Sequence, residues 1–183
     1  MKNAVIFSGS GGQGVMSMGI MLAQSAVESG KHAVYMPSYG PEQRGGSAKC
    51  VVIIDEGEIV SPMAEFGGVL VAMNNMAYGK FIHELEPGGT LIYDSSMLTA
   101  PIERDDITAL GVPAGDLALE VGSAKVANII VIGALLGLTG IISPEDFQKS
   151  LDMKFASKSE SVRDLNRKAL EKGLALGKAN KQA

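Results

Sequence analysis

Short, mostly apolar runs alternate along the chain with stretches in which apolar residues recur at helical spacing. Runs of four to eight such residues, bounded by glycine, proline or polar residues, are typical of strands buried in a sheet. Six runs fit this description, at residues 4–7, 32–36, 47–54, 68–73, 90–94 and 107–112. After the first run, Met18, Leu22 and Ala26 lie four positions apart, which predicts a helix. The chain therefore has the alternating pattern of an α/β protein.

One pair of neighbouring runs predicts a hairpin. The run at 47–54 is followed by the turn residues Asp55, Glu56 and Gly57 and then by a short strand at 58–60. A hairpin joins antiparallel strands, whereas a connection through a helix joins parallel ones. At 183 residues the chain suits one domain. We therefore expect a single-domain, three-layer α/β/α fold over residues 1–183, with a mixed, mostly parallel, Rossmann-like sheet.

Capping residues and one long apolar run predict the remaining helices. Asn74 and Asn75 are expected to cap a helix that ends near residue 85, and Ser143 followed by proline starts another. The apolar run at 126–142 has 17 residues, including Asn128 and three glycines, and falls short of a typical membrane span. We expect it to be a buried core helix in which Asn128 needs a hydrogen-bond partner.

A glycine-rich stretch lies where the first strand should meet the first helix. Its candidate ligand-binding residues are Gly9, Gly11, Gly12, Gln13 and Gly14. Glycines at such a turn let backbone N–H groups approach an anion at the helix N-terminus. No lysine and serine follow the last glycine as in a Walker loop, and no acid ends the second strand as in a nicotinamide site. Anion binding, contact with a partner, and glycines that only permit close packing remain open.

A second unusual loop follows the second predicted strand at residues 37–46. It combines breakers with Tyr39, Glu42 and Arg44. Because loops at the carboxyl ends of neighbouring strands meet at one edge of an α/β sheet, we expect this loop and the glycine loop to frame one crevice. Tyr39 and Arg44 are candidates for contact with a cofactor, and a surface ion pair is the alternative for Arg44.

Charge and cysteine content exclude several classes of function. The net charge of −4 and the pI near 5.2 argue against a nucleic-acid partner. One cysteine, Cys50, and two histidines cannot hold an iron–sulfur cluster or a structural zinc ion within this chain. Cys50 lies in an apolar run, and the N-terminal residues lack the apolar segment of a signal peptide, so we expect a cytoplasmic protein. No catalytic residue and no metal ligand is predicted.

The two loops together resemble those of the gamma subunit of 2-oxoacid:ferredoxin (acceptor) oxidoreductases. The motifs are G-S-G-G-Q-G at residues 9–14 and P-S-Y-G-P-E-Q-R-G-G at 37–46. The order of the other elements is similar along nearly the whole chain. The second motif, with Tyr39 and the following glycines, is most similar to the 2-oxoglutarate type.

This resemblance implies a supporting subunit of an enzyme that oxidatively decarboxylates a 2-oxoacid to an acyl-CoA and passes electrons to ferredoxin or a similar acceptor. It implies thiamine diphosphate and Mg between alpha and beta subunits, iron–sulfur clusters in other chains, and a delta subunit as a further candidate partner. It also suggests that this chain, inactive by itself, helps to receive coenzyme A. The family's thiamine-binding motif is absent here, because Leu117 follows Gly115-Asp116.

Two other functions remain open. One is a free-standing Rossmann-type oxidoreductase that binds a dinucleotide, against which the missing acid after Met36 counts. The other is a ligand-free assembly module, for which the ten methionines are suitable because methionine adapts well to interfaces. An assembly module is also compatible with a homodimer of the isolated chain.

Overall fold

A computed structural model describes residues 3–39, 46–60 and 66–181 of the chain. Its described residues form one six-stranded sheet with the order β2-β3-β1-β4-β5-β6. The strands are β1 (Asn3–Ser10), β2 (His32–Tyr39), β3 (Ser47–Asp55), β4 (Gly67–Ala72), β5 (Leu85–Asp94) and β6 (Thr108–Val112). The helices are α1 (Val15–Glu28), α2 (Asn75–Phe81), α3 (Ala114–Val121), α4 (Ala127–Thr139), α5 (Pro144–Lys154) and α6 (Glu160–Lys181). Short 3-10 turns at Ile82–Glu84 and Ala124–Val126 follow α2 and precede α4.

The sheet is mixed and mostly parallel, as the alternation of runs predicts. Its antiparallel strand, β3, does not pair with the segment predicted from the sequence. β3 pairs antiparallel with both β1 and β2, whereas β1, β4, β5 and β6 run parallel. Residues 58–60 form no strand, so the predicted hairpin between 47–54 and 58–60 is wrong. β3 instead finds its hydrogen bonds between β1 and β2, where both faces of its apolar run are buried.

Several element ends differ from those predicted by the pattern. β1 continues through Gly9 to Ser10, and β2 continues through Pro37 to Tyr39. Pro37 is tolerated because β2 is an edge strand, where a missing N–H can face away from the sheet. β5 begins at Leu85, five residues before the predicted run at 90–94, and its register with β4 shifts between Gly67 and Val69.

Two apolar clusters, one on each face of the sheet, give the three layers. The larger joins one face to α1, α3, α4, α5 and α6 and includes the buried thiol of Cys50. The smaller joins the other face to α2 and to the segment that leads into β6. None of the described helices is long and apolar enough to cross a membrane. The predicted caps Asn74 and Ser143 both accept a hydrogen bond from a backbone N–H of their helix.

Helices α4 and α6 pack with their backbones in contact. Four glycines make this approach possible: Gly133 and Gly137 on α4, and Gly173 and Gly177 on α6. A Cβ at Gly133 would lie 2.6 Å from the carbonyl oxygen of Leu170. Apart from its first turn and its last residues, α4 is buried, as expected from its apolar run. Asn128, in that first turn, is only half-buried.

Candidate functional site

A cleft of about 250 Å³ lies at the edge of the sheet where β1, β4 and β5 end. Its walls come from the glycine loop after β1, from Met73 after β4 and from Asp94 at the end of β5. The far wall is formed by Lys125 and Asn128, at the start of α4. The carboxyl edge of parallel strands is where α/β sheets place their ligands.

The glycine loop presents the open end of α1 to this cleft. Gly12 and Gly14 have φ angles of 95° and 75°, which residues with a Cβ rarely adopt. Gly14 is the N-cap of α1, and no described side chain caps the first turn. An ideal Cβ on Gly11 would meet no described atom within 4 Å, whereas one on Gly9 would meet Val15 at 2.7 Å. Gly9 is therefore needed for packing. The backbone N–H of Gln13 donates to the carbonyl oxygen of Ser10 at 3.2 Å, whereas Gly11, Gly12 and Gly14 leave their N–H groups available to an anion.

Gln13 holds the loop in place. Its Oε1 accepts hydrogen bonds from the backbone N–H of Ser10 and from Nδ2 of Asn74, both at 2.7 Å. Its Nε2 donates to the carbonyl oxygen of Met73 at 3.0 Å. Because both Oε1 bonds and one Nε2 bond are made within the chain, Gln13 acts as a strut between β1 and β4.

A second helix N-terminus faces the glycine loop. The side chain of Asn128, in the first turn of α4, lies so close to the loop that a Cβ on Gly14 would be 2.7 Å from its Nδ2. Lys125 is exposed beside it and makes no ion pair with any described residue. A cation at the N-terminus of a helix is unfavourable by about 0.3–1 kcal/mol, because the helix dipole is positive there. An anion between Lys125 and the loop would remove that penalty.

Asp94 forms the floor of the cleft and is 3% exposed. Its Oδ1 accepts hydrogen bonds from the backbone N–H groups of Ser96, at 3.0 Å, and Ala114, at 3.1 Å. The second bond satisfies the first turn of α3, for which Pro113 at the N-cap supplies no side-chain acceptor. Asp94 therefore joins β5 to α3 across the end of the sheet.

The flanks of the second loop reach the same edge of the sheet. Ser10 at the end of β1 pairs with Ser47, and Tyr39 at the end of β2 pairs with the neighbouring Ala48. The two loops therefore leave the sheet at one edge, as expected. Arg44 and the rest of residues 40–45 lie outside the described residues, so the contacts predicted for Arg44 are untested.

Behind Lys125 and Asn128 lies a second, mostly apolar cavity of about 200 Å³, lined by Met21, Ile129 and Phe155 among others. Lys125 and Asn128 belong to both cavities. Sequence reasoning missed Lys125 and Asp94. An acid at the end of a strand and a lysine just before a helix were the available signals, but their convergence depends on the strand order.

Within the described part of the chain, no group of three or more histidine, cysteine or acidic side chains is arranged to hold a metal ion. His83, which follows α2, is exposed, as is His32. The fold and the cleft together define a Rossmann-like α/β protein whose glycine loop opens at the carboxyl edge of the sheet.

Comparison with known proteins identifies the family. Residues 4–176 match the family described as pyruvate ferredoxin/flavodoxin oxidoreductase. The chain is 40% identical to the ketoisovalerate oxidoreductase subunit VorA of Methanothermobacter thermautotrophicus over 96% of its own length, but it spans only 36% of that relative. It is 33% identical to the 2-oxoglutarate synthase subunit KorC of Methanocaldococcus jannaschii, covering 97% of this chain and 95% of the relative.

Solved structures give the same result. The gamma subunit of a keto/oxoacid ferredoxin oxidoreductase from Geobacter sulfurreducens matches with a TM-score of 0.83 and 34% identity, over 97% of this chain and 99% of that one. A 2-oxoglutarate:ferredoxin oxidoreductase from Magnetococcus marinus, with 2-oxoglutarate, coenzyme A and succinyl-CoA bound, matches with a TM-score of 0.90 and 28% identity, over 97% of this chain and 31% of that one. The chain belongs to the pyruvate ferredoxin/flavodoxin oxidoreductase family and is of the gamma-subunit type.

Proposed function

We propose that residues 1–183 form one gamma-type domain that supports a 2-oxoacid oxidoreductase and helps to bind its coenzyme A. The complex converts a 2-oxoacid and CoA to an acyl-CoA and CO₂, and passes the electrons to ferredoxin or a similar acceptor. Alpha and beta subunits, with a delta subunit in addition, would carry thiamine diphosphate, Mg and the iron–sulfur clusters. The described part of this chain offers no ligand set for a cluster. The cytoplasm is the compartment we propose.

The observation that carries the CoA assignment is that the uncapped N-terminus of α1 and Lys125 line one cleft. The N-terminus of a helix of ordinary length attracts phosphate through free N–H groups and its dipole. CoA carries a pyrophosphate and a 3′-phosphate on an otherwise less polar molecule. The apolar cavity that shares Lys125 and Asn128 with the cleft suits such a mixed ligand.

For the substrate, we propose 2-oxoglutarate. The second loop resembles the 2-oxoglutarate type, and several relatives are named as 2-oxoglutarate synthase subunits. Other relatives are named for ketoisovalerate and pyruvate, so the choice needs a direct assay. The complex should be copurified through this chain from its native host and tested for CoA-dependent dye reduction with each of the three oxoacids. A higher rate with ketoisovalerate or pyruvate would refute the choice.

Lys125→Ala in the assembled complex tests the CoA assignment. Losing one charged hydrogen-bond partner of a phosphate should raise the KM for CoA roughly tenfold, with kcat little changed. Lys168→Ala, at an exposed position on α6, is the matched control and should leave the KM unchanged. An unchanged KM for CoA in Lys125→Ala would show that the cleft does not bind CoA. Arg44→Ala tests the contribution of the second loop in the same assay.

A ligand-free docking role is favoured by one observation. Met76 and Met97, which flank the sheet edge on which the cleft opens, are 44% and 52% exposed. Large exposed apolar side chains of this kind are suited to a subunit interface. A docking role predicts that Met97→Asp weakens assembly, whereas Lys125→Ala changes neither assembly nor the KM for CoA.

A further inference from the structure

We propose that the second carboxylate oxygen of Asp94 selects the ligand of the cleft by accepting a hydrogen bond from a hydroxyl or amide N–H that accompanies the phosphate. This inference rests on the proposed function, because it assumes that the cleft binds the phosphate-bearing part of CoA. It assigns a specificity role to a residue outside the glycine loop.

The two oxygens of Asp94 have different surroundings. Oδ1 takes both backbone hydrogen bonds, from Ser96 and Ala114. Oδ2 takes none from any described residue, although the side chain is 3% exposed and lines the cleft. Among the described residues, the buried side-chain atoms that lack a partner are Ser25 Oγ and Arg163 Nε, and Oδ2 of Asp94 is not one of them. This oxygen is therefore accessible from the cleft, where a ligand can donate to it. Capping α3 therefore explains one oxygen of Asp94 and leaves the other available to a ligand.

Asp94 also sets the direction in which a ligand enters. Its negative charge on the floor of the cleft repels a phosphate there, whereas Lys125 and the N–H groups of Gly12 and Gly14 attract one at the rim. A ligand with a phosphate at one end and a hydrogen-bond donor at the other can place the phosphate at the rim and the donor beside Asp94. A bare inorganic anion can interact favourably only with the groups at the rim, and the carboxylate of Asp94 repels it.

Asp94→Asn separates the two roles of the residue. The amide oxygen can keep the bonds from Ser96 and Ala114, which fix its orientation, while the amide nitrogen replaces Oδ2 and turns the acceptor into a donor. In the assembled complex, we expect the KM for CoA to rise about tenfold with kcat little changed, since a hydrogen bond to a charged group is lost. We expect pyrophosphate, tested as a competitive inhibitor against CoA, to bind several-fold more tightly, because the repulsion is gone.

The two probes give distinct results for each explanation. Weaker binding of CoA together with tighter binding of pyrophosphate supports the inference. If neither the KM for CoA nor the inhibition by pyrophosphate changes, Asp94 only caps α3. If CoA and pyrophosphate both bind more tightly, Asp94 only repels anions. Either result overturns the inference. Lys125→Ala is measured beside it. A raised KM in Lys125→Ala with no change in Asp94→Asn refutes the Asp94 role alone, whereas no effect in either variant refutes the proposed function as well.

Discussion

The packing of α4 on α6 predicts that a glycine-to-alanine replacement in α4 destabilises the protein, whereas helix propensity alone predicts that it stabilises it. Gly133 lies in the middle of α4, where replacement of glycine by alanine normally stabilises a helix by about 0.5–1 kcal/mol. In this structure, however, a Cβ at Gly133 would lie 2.6 Å from the carbonyl oxygen of Leu170, and 2.9 Å from both Cα of Gly173 and the nitrogen of Leu174. All three are backbone atoms, which cannot rotate away. Gly133→Ala should therefore destabilise the protein.

The size of the destabilisation follows from the distance between the added Cβ and the carbonyl oxygen of Leu170. Ordinary contacts of a Cβ begin near 3.4 Å, so the two helices must separate by about 0.8 Å, from 3.4 minus 2.6. Overpacking of this kind costs about 1–3 kcal/mol, and the gain in helix propensity offsets at most about 1 kcal/mol. We expect a net loss of about 1–2 kcal/mol. For a chain of this size, that lowers Tm by about 2–8 °C.

The assay is thermal and urea unfolding followed by circular dichroism at the helix band, because the chain contains no tryptophan. Gly79→Ala on α2 is the matched control, since that exposed glycine has no described atom within 4 Å of an added Cβ. The control should be as stable as the parent chain or more stable by up to about 1 kcal/mol. If Gly133→Ala also unfolds at or above the parent's Tm, the close approach of α4 and α6 does not exist in solution.

Two further predictions concern the glycine loop and the buried thiol. Gln13→Glu replaces the donor to the Met73 carbonyl with an acceptor and should lower the free energy of unfolding by about 1–3 kcal/mol, measured in urea; an unchanged midpoint would show that Gln13 is not a strut. Burial raises the pKa of the Cys50 thiol from 9.0 to about 12, so a thiol reagent at pH 8 should label the unfolded chain but not the native one. Because the unfolded thiol ionises first, the contribution of Cys50 to stability is complete below pH 9 and falls as the pH rises towards 12; rapid native labelling would contradict this.

The sequence by itself determined most of the elements and the family. Apolar runs bounded by turn residues located all six strands, because a strand buried on both faces needs an unbroken apolar sequence. Asn74 and Ser143 marked helix starts, because a short polar side chain satisfies a free N–H there. The glycine motif identified the loop between β1 and α1, since few other sequences permit its positive φ angles.

Only the tertiary structure decided which strands are neighbours and which side chains share the cleft. The run at 47–54 is equally apolar whether it pairs with 58–60 or between β1 and β2, so the hairpin was placed wrongly. Asp94 and Lys125 are 31 positions apart in the sequence and meet at one cleft because β5 lies beside β4 at the carboxyl edge of the sheet. Periodicity reports which face of an element is buried, but pairing and packing between distant elements depend on contacts that only the folded chain makes.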